Sequence, residues 1–330
     1  MKIPLRIALL KEYWNLLRGY WSDFRRYSSH ACVGYNRIHM DFGQLEGRII
    51  ATYHVIEKGL SMPEFRPGFG IPMLKGLIKM LREAEPPCNS GANINLKAAK
   101  KVVCAYVEKH EKIGVSLNGM LTEAELNFAK EPNQIATVLG GVKEYQQDDY
   151  FGASDSPFPV FAKSRHSCRI FDTDKKVNTE TIRAAVEIAR YAPSVCNRQC
   201  WRAHIYQDKE IIEKMLEIQG GNRGFGHTIP CVVVLTAGVK VFSGFAERTQ
   251  GHLDGGLFGM SLMYALHHFQ LGCVPLCWLV SLKKDAAFRK LAEIPDDEIV
   301  LMFLGVGTPV EQFSAPASQR REVDELVRIH

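Results

Sequence analysis

Apolar residues in the first half of the chain recur at steps of three and four, which is the period of an amphipathic helix. The helices that this pattern predicts are residues 4–28, 49–57, 71–84, 94–112 and 122–130. Thr122 stands at the start of the last helix with Glu125 three residues later, and this spacing indicates a capping box. We therefore expect a helical N-terminal region.

Helical patterns alternate with short apolar runs in the second half of the chain. Predicted helices there are residues 178–192, 253–271 and 283–293, and predicted strands are HIYQ (204–207), 231–236 and 299–307. This alternation is typical of an α/β or α+β domain. The stretch 144–161 is polar and then rich in Gly, Ser and Pro, so it predicts a linker. The expected domains are residues 1–150 and 151–330.

Charge is distributed unevenly along the chain. The formal net charge is +5, and residues 1–30 hold six basic side chains against two acidic ones. The remainder is close to neutral, which disfavours a broad nucleic-acid-binding surface. The basic helix at 4–28 contains tryptophans and has two interpretations. It lies on an anionic membrane surface, or it docks on its own domain or on a partner subunit.

Export and membrane insertion have little support in the sequence. No apolar run approaches the roughly 18 residues of a membrane span. The run IPLRIALL is interrupted by Arg6, and no small-residue cleavage site follows it, which disfavours a signal peptide. We expect a cytoplasmic protein, peripheral to the membrane if helix 4–28 binds lipid. Its nine cysteines are expected to be free thiols.

The segment RHSCRIFD at 165–172 carries Arg165, His166, Ser167 and Arg169 within five residues. Two guanidinium groups, a hydroxyl and an imidazole are the donors that bind a phosphate. A solvated basic turn is the alternative. Near the C-terminus, Arg320 and Arg321 could return to the same phosphate, or they could belong to a charged terminal helix.

Two further loops carry amides. In YAPSVCNRQCW, Ser194, Asn197 and Gln199 follow a helix end and could bind the polar edge of a heterocycle, or satisfy only their own backbone. In GGNRGFGHTIP, the glycines allow close approach of a ligand, and Asn222 and Arg223 supply polar contacts. That loop precedes a strand instead of following one, so it is not a nucleotide-binding fingerprint.

As an ordered set, these segments resemble the nitroreductase family of FMN-dependent oxidoreductases. The resemblance rests on R-H-S-x-R-x-F, A-P-S-x-x-N-x-Q-x-W, an Asn about ten residues before a buried strand, and L-D-G-G-x-x-x-x-x-L followed by L-G. It covers about 162–330. It implies an α+β fold, a three-layer α/β/α sandwich, and a homodimer with FMN at the interface. Hydride would pass from NAD(P)H to flavin N5, and electrons would go to an electron-poor acceptor.

The resemblance also implies roles for single residues at the phosphate end of FMN. Arg165, His166, Ser167 and Arg169 would hold the phosphate and the ribityl chain, helped by Arg320. No side chain would be catalytic, since the flavin carries the chemistry.

The resemblance places other residues around the flavin ring. Pro193, Ser194 and Asn197 would approach from the second subunit, and Asn222 would meet the pyrimidine edge. Pro275, Leu276 and Cys277 would run along the ring, with backbone N–H groups near N5.

The sequence departs from the family pattern at two of these positions. Cys200 stands where the family usually has Pro. Phe225 holds the place of a lysine that many members carry near the flavin N1/O2 edge, and Arg223 is the nearest basic substitute.

A zinc site is an alternative interpretation of four cysteines. Cys196 and Cys200 are separated by three residues, as are Cys273 and Cys277, and structural zinc sites permit this spacing. The resemblance instead implies no metal, because it assigns Pro193 and Pro275 to the flavin.

The N-terminal half lies outside the minimal family. Its segment Y-H-x-I-E-K-G-L-S-M-P-x-x-R-x-G-F-G is similar to one in longer nitroreductase-like proteins associated with bacterial surface-polysaccharide genes. Glu57, Lys58 and Arg66 could form a loop that closes over an anionic or sugar-linked acceptor. Alternatively, Gly59 ends a helix and an ordered connector follows. The competing function is a non-catalytic or partner-reduced flavin-binding or assembly protein that acts through this half.

Overall fold

The computed structural model describes residues 5–30, 38–84, 93–130, 138–242 and 245–330. Its Cα positions divide into two compact units. The α/β unit comprises the described residues up to Asp23 together with Tyr145–Phe313. The helical unit comprises Phe24–Glu144 and Ser314–His330. Both units are therefore discontinuous in sequence, and the C-terminal segment belongs with the helices of the first half.

Five helices occupy the described part of the first half: α1 (Leu5–His30), α2 (Phe42–Leu60), α3 (Ile71–Ala84), α4 (Ile94–Lys112) and α5 (Glu123–Lys130). The helices predicted at 71–84 and 94–112 are confirmed. The predicted capping box is also present, because Glu125 N–H donates to Thr122 Oγ1 and Thr122 N–H donates to Glu125 Oε2. Residues of α2 to α5 pack around one hydrophobic core that includes Ile49 and Leu77.

Helix α2 is longer than the sequence predicts at both ends. Asp41 caps its start by accepting a hydrogen bond from Gln44 N–H at 2.8 Å, and Gln44 Oε1 accepts from Asp41 N–H. At the other end the helix continues past Gly59 to a cap at Ser61. A Cβ atom at Gly59 would lie 2.0 Å from the ring of Phe69. Gly59 therefore serves close packing and is not the helix cap.

The second half contains β1 (Val142–Gln146), α6 (Gln147–Phe151), α7 (Phe158–Ser164), α8 (Thr179–Ala189), β2 (Trp201–Tyr206), α9 (Lys209–Gln219), β3 (Cys231–Gly238), α10 (Gln250–His268), β4 (Gly272–Cys277), α11 (Leu282–Ala292), β5 (Glu298–Gly307), β6 (Gln312–Pro316) and α12 (Val323–Leu326). Four strands form a sheet in the order β2-β3-β5-β4, and every neighbouring pair is antiparallel. Strands β1 and β6 form a separate two-stranded sheet.

Helices cover both faces of the four-stranded sheet. Val233 and Leu235 of β3 share a core with Phe258 and Leu262 of α10. Successive side chains of a strand point to opposite faces. Phe303 of β5 accordingly packs on the other side, where its ring centroid lies 5.1 Å from that of Phe288 in α11. The architecture is the α+β, three-layer sandwich that the family resemblance implies.

The prediction of a linker at 144–161 is wrong. This stretch contains the end of β1, all of α6 and most of α7. Although the stretch is polar in composition, its aromatic residues Tyr150 and Phe151 are buried. Tyr150 Oη donates to the carbonyl oxygen of His166 at 2.5 Å, and its ring contacts Phe313. These contacts fold the stretch onto the α/β unit.

No helix among the described residues combines the length and apolarity needed to cross a bilayer.

Candidate functional site

Three separate segments of the α/β unit meet beside strand β4. The backbone N–H of Cys168 donates to the carbonyl oxygen of Cys273 at 3.0 Å, which fixes segment 165–169 along this strand. Thr228 Oγ1 donates to the carbonyl oxygen of Arg169 at 3.2 Å. The predicted phosphate-binding segment is thereby joined to β4 and to the turn that precedes β3.

Arg165 has buried guanidinium atoms that the protein leaves unsatisfied. Its Nε and Nη1 are inaccessible to solvent and have no hydrogen-bond partner among the described residues. Burying a cation is costly unless an anion or acceptor compensates it. The donor set of Arg165 therefore fits an anionic group such as a phosphate.

His267 of α10 lies near Arg165 and is almost fully buried. Its Nε2 is 2.9 Å from Ser164 Oγ. Burial is the main cause that lowers the pKa of His267 to about 4, and the charges of Arg165 and His166 lower it further. His267 is consequently neutral near pH 7 and adds no positive charge to this part of the unit.

The cysteines beside Arg165 are unsuited to nucleophilic chemistry. Burial raises the pKa of Cys168 to about 12 and that of Cys273 to about 11. Both thiols therefore stay protonated at neutral pH, and the thiolate is the reactive form. Among the described residues, no group of three or more His, Cys, Asp or Glu side chains could hold a metal ion.

The loop between α8 and β2 has an unusual backbone. Cys196, Asn197 and Gln199 all have positive φ values, of 50°, 55° and 47°. Such conformations cost a non-glycine residue on the order of 1–3 kcal/mol and cluster at functional sites. The sequence pattern does not reveal this strain, since none of the three is glycine.

Polar contacts to neighbouring elements hold this loop in place. Val195 N–H donates to the buried carboxylate of Asp254 at 3.2 Å, and Gln199 N–H donates to Ser194 Oγ at 3.0 Å. Arg198 forms an ion pair with Glu247. Asp254 belongs to the L-D-G-G motif. This motif marks Asp254 in the sequence, but there it serves only as a sign of the family resemblance and assigns Asp254 no role.

The predicted ring-edge residues surround the C-terminal end of α9. Asn222 Nδ2 donates to the carbonyl oxygen of Leu216 at 2.6 Å and so closes the helix end. Arg223 is exposed, whereas Phe225 is fully buried and belongs to the core. The role of Asn222 at a flavin edge stays a prediction, since its amide nitrogen already has a partner in the protein.

Strand β4 carries the other predicted ring contacts. Leu276 is buried, Pro275 is half-buried and Cys277 is exposed at the end of the strand. The carbonyl oxygen of Cys277 accepts a hydrogen bond from Gln219 Nε2 at 2.9 Å, which joins β4 to the end of α9. The end of α9 with the loop that follows it and the last residues of β4 thus lie together.

Four predicted site residues belong to the helical unit. Glu57 is fully buried, and its Oε1 accepts from Gly141 N–H at 3.2 Å. Lys58 is half-buried and Arg66 is exposed. Arg320 is exposed and donates to the carbonyl oxygen of Ser318 at 2.6 Å. The roles proposed for these residues toward substrate or phosphate stay predictions.

An apolar cavity of about 640 Å³ opens on the α/β unit next to the strained loop. The residues that line it are Ser154, Asp155, Ser156, Phe158, Phe161, Ile188, Tyr191, Ala192, Pro193, Ser261, Tyr264, Ala265 and His268. Of these residues, only Pro193 is among the site residues that the family resemblance implies.

Comparison with known proteins agrees with the segment order. Residues 162–221 match the model of the Nitroreductase family. The resemblance to nitroreductases is confirmed. This match contains the segment that is predicted to bind phosphate and the strained loop, and it ends just before Asn222.

The chain is also similar to individual nitroreductase relatives. A curated protein of Archaeoglobus fulgidus, provisionally named NADH dehydrogenase/NAD(P)H nitroreductase, is 24% identical over 152 residues, which cover 45% of this chain and 83% of the relative. A nitroreductase-like protein from Streptococcus mutans is 23% identical with a TM-score of 0.45, and the match covers 52% of this chain and 97% of that one. The hypothetical oxidoreductase YcnD from Bacillus subtilis is 22% identical with a TM-score of 0.40; the match covers 44% of this chain and 63% of that one.

Proposed function

We propose that the chain is an FMN-dependent oxidoreductase that takes hydride from NAD(P)H and passes electrons to an electron-poor acceptor. The observation that carries this proposal is the guanidinium of Arg165, whose Nε and Nη1 are buried and have no hydrogen-bond partner among the described residues. Arg165 lies within the segment that matches the nitroreductase family. Buried guanidinium nitrogens without an acceptor in the described part of the chain fit the phosphate of a bound cofactor.

The phosphate end of FMN would be held by Arg165, His166, Ser167 and Arg169. Hydrogen bonds to charged groups contribute about 1.5–3 kcal/mol each. Arg169 is buried and its carbonyl oxygen accepts a hydrogen bond from Thr228, so the protein itself positions this segment. Arg320 remains a further proposed phosphate ligand.

The ring of FMN would lie along Pro275, Leu276 and Cys277, at the open end of β4. When bound, FMN would supply the redox chemistry, accepting hydride from a nicotinamide and releasing electrons to the acceptor. The protein would supply position and polarity. Neutral thiols at Cys168 and Cys273 are compatible with this division, since no protein nucleophile is required.

The proposed functional form is a homodimer in which Pro193, Ser194 and Asn197 reach the cofactor of the second subunit. Two features support it. The loop that carries these residues is strained and braced by Asp254, as expected of a preorganised binding loop. Helix α10 also exposes Leu253 and Leu257, which a second copy would cover.

The acceptor is proposed only as an electron-poor molecule. A link to surface polysaccharides and a substrate role for Glu57, Lys58 and Arg66 are further proposals, which rest on the resemblance of the N-terminal half.

The test is spectroscopic. Purified full-length protein should show the visible absorbance of oxidised flavin, and anaerobic NADH or NADPH should bleach it. A colourless protein that cannot be reconstituted with FMN would contradict the proposal. A flavoprotein that neither nicotinamide reduces would instead favour the partner-reduced or assembly function.

A further inference from the structure

The first helix exposes a continuous apolar stripe. Between residues 9 and 21 of α1, seven large apolar side chains are 45–68% exposed: Leu9, Leu10, Tyr13, Trp14, Leu17, Tyr20 and Trp21. At 3.6 residues per turn these seven positions fall within an arc of about 140°. A surface helix normally turns such a stripe toward the protein core. Here the stripe faces outward, and it is named the α1 stripe below.

The polar side of the same helix is the side that the protein holds. Asp23 accepts two hydrogen bonds from the guanidinium of Arg248, each at 2.7 Å. Gly19 is buried, and Asn15 and Leu16 are half-buried. All four positions lie outside the arc of the α1 stripe. The helix is therefore held by the side that carries Asn15, Leu16, Gly19 and Asp23, and the α1 stripe is exposed.

Basic side chains border the α1 stripe on one edge. Lys11 and Arg18 are exposed and fall just beyond Trp14 around the helix. Residues 1–30 carry six basic and two acidic side chains, and of the two acids Asp23 is engaged with Arg248. The edge therefore keeps a net positive charge next to the tryptophans.

We propose that the α1 stripe binds the surface of a lipid bilayer that contains anionic lipid. Tryptophan and tyrosine favour the headgroup level of a membrane, and leucines favour the acyl boundary beneath it. Lysine and arginine beside them attract anionic headgroups. A helix with these two faces lies in the plane of the interface. Two copies of this helix would bring their like-charged basic edges together, whereas an anionic lipid surface complements that charge, so the basic edge favours lipid over a second copy.

The experiment is co-sedimentation of the purified full-length protein with vesicles. We expect binding to vesicles of phosphatidylcholine mixed with phosphatidylglycerol, weaker binding to phosphatidylcholine alone, and loss of the difference at high salt. The double variant W14S/L17S should bind the mixed vesicles at least tenfold more weakly. K11Q/R18Q should lose the preference for anionic vesicles while retaining weak binding.

A matched control uses exposed leucines outside the α1 stripe. Leu279 and Leu282 are 88% and 90% exposed, so L279S/L282S removes comparable apolar surface and should leave vesicle binding unchanged. All variants change exposed side chains, and circular dichroism checks that each is folded.

The proposal would be overturned if the unaltered protein did not sediment with anionic vesicles. A W14S/L17S variant that binds vesicles normally but loses self-association in light scattering would also overturn it, since the stripe would then cover a second copy. Flavin content plays no part in these readouts, so the result is independent of the proposed function.

Discussion

The charge of Arg165 acts on His267 in the interior of the α/β unit. The guanidinium adds to the effect of burial and helps to lower the pKa of His267, so that the histidine is held neutral. A ligand that neutralises Arg165 would relieve this effect and raise the pKa of His267. The two residues therefore report on whether an anion occupies the candidate site.

Replacing Arg165 by alanine should weaken retention of FMN. The change removes charge-assisted contacts of about 1.5–3 kcal/mol, which corresponds to about a 10- to 150-fold loss of affinity. Flavin fluorescence released during dialysis measures the effect. Arg183→Ala is the matched control, because Arg183 is an exposed arginine of α8 in the same unit. Equal flavin occupancy in the two variants would remove Arg165 from the site.

His267 should make the protein less stable in acid. Its pKa is about 4 in the folded chain and about 6.5 in the unfolded chain, so the unfolded chain binds more protons between these values. Stability should thus fall as the pH drops from about 6.5 to about 4, by up to about 3 kcal/mol. Urea unfolding at several pH values measures this slope. His267→Gln should flatten it, whereas His252→Gln, at an exposed position, should not. The same slope in His267→Gln and the unaltered protein would refute the assignment.

At the scale of single elements, α2 carries a glycine inside the helix at position 59 despite the low helix propensity of glycine, because close packing against Phe69 leaves no room for a side chain. A side chain at this position meets the ring of Phe69, whereas a side chain at Gly76 of α3 meets nothing within 4 Å.

Gly59→Ala should destabilise the helical unit by about 1–3 kcal/mol, because the added methyl group overpacks the contact with Phe69. Gly76→Ala is the matched control and should stabilise it by up to about 1 kcal/mol, since alanine favours a helix over glycine. Thermal or urea unfolding of the two variants should shift in opposite directions. Shifts of the same sign would show that Phe69 moves aside without cost.

The sequence predicts helices well where the apolar periodicity is regular. It predicts them poorly where the packing of a few aromatic residues determines the local structure. Helices α3 and α4 begin and end where their apolar pattern does. The stretch 144–161 looked like a linker, because burial of Tyr150 and Phe151 depends on Phe313 and His267, which lie far along the chain. The order of the candidate site segments along the chain is recognisable from the sequence. The positive φ values at Cys196 and Asn197 are not predictable from the sequence, because neither residue is glycine and the loop is held through Val195 and Arg198 by the distant residues Asp254 and Glu247.

At the scale of the whole molecule, the C-terminal segment completes the helical unit. Arg321 donates to Glu46 Oε2 at 2.7 Å, and Asn93 and Asn95 donate to the same carboxylate. Burial alone would raise the pKa of Glu46, but the hydrogen bonds from Arg321 and the two asparagines outweigh it and leave the pKa lowered. No local pattern could pair these residues, because 275 positions separate them.

Arg321→Gln should destabilise the helical unit by about 1–3 kcal/mol, because it removes a hydrogen-bonded charge from a buried carboxylate. The lowered pKa of Glu46 means that this contribution is present near pH 7 and is lost as the pH falls through that pKa. The difference between variant and unaltered protein should therefore shrink in acid. Urea unfolding measures it. Arg328→Gln serves as control, because the hydrogen bonds of Arg328 to the described residues go to the backbone carbonyls of Asp324, Glu325 and Val327. A difference that persists unchanged in acid would exclude the Glu46 pair as its source.

The long separation between Glu46 and Arg321 has a consequence for synthesis on the ribosome. Translation proceeds at roughly 5–20 residues per second, so about 15–55 s pass between the emergence of the two partners. The α/β unit ends at Phe313 and has all of its sequence before the helical unit has its last segment. The helices of the first half are therefore synthesised well before Arg321, and the buried carboxylate of Glu46 lacks its guanidinium partner until Arg321 emerges. Chaperones that hold incomplete chains would meet this protein with its helices exposed and its C-terminal segment still missing.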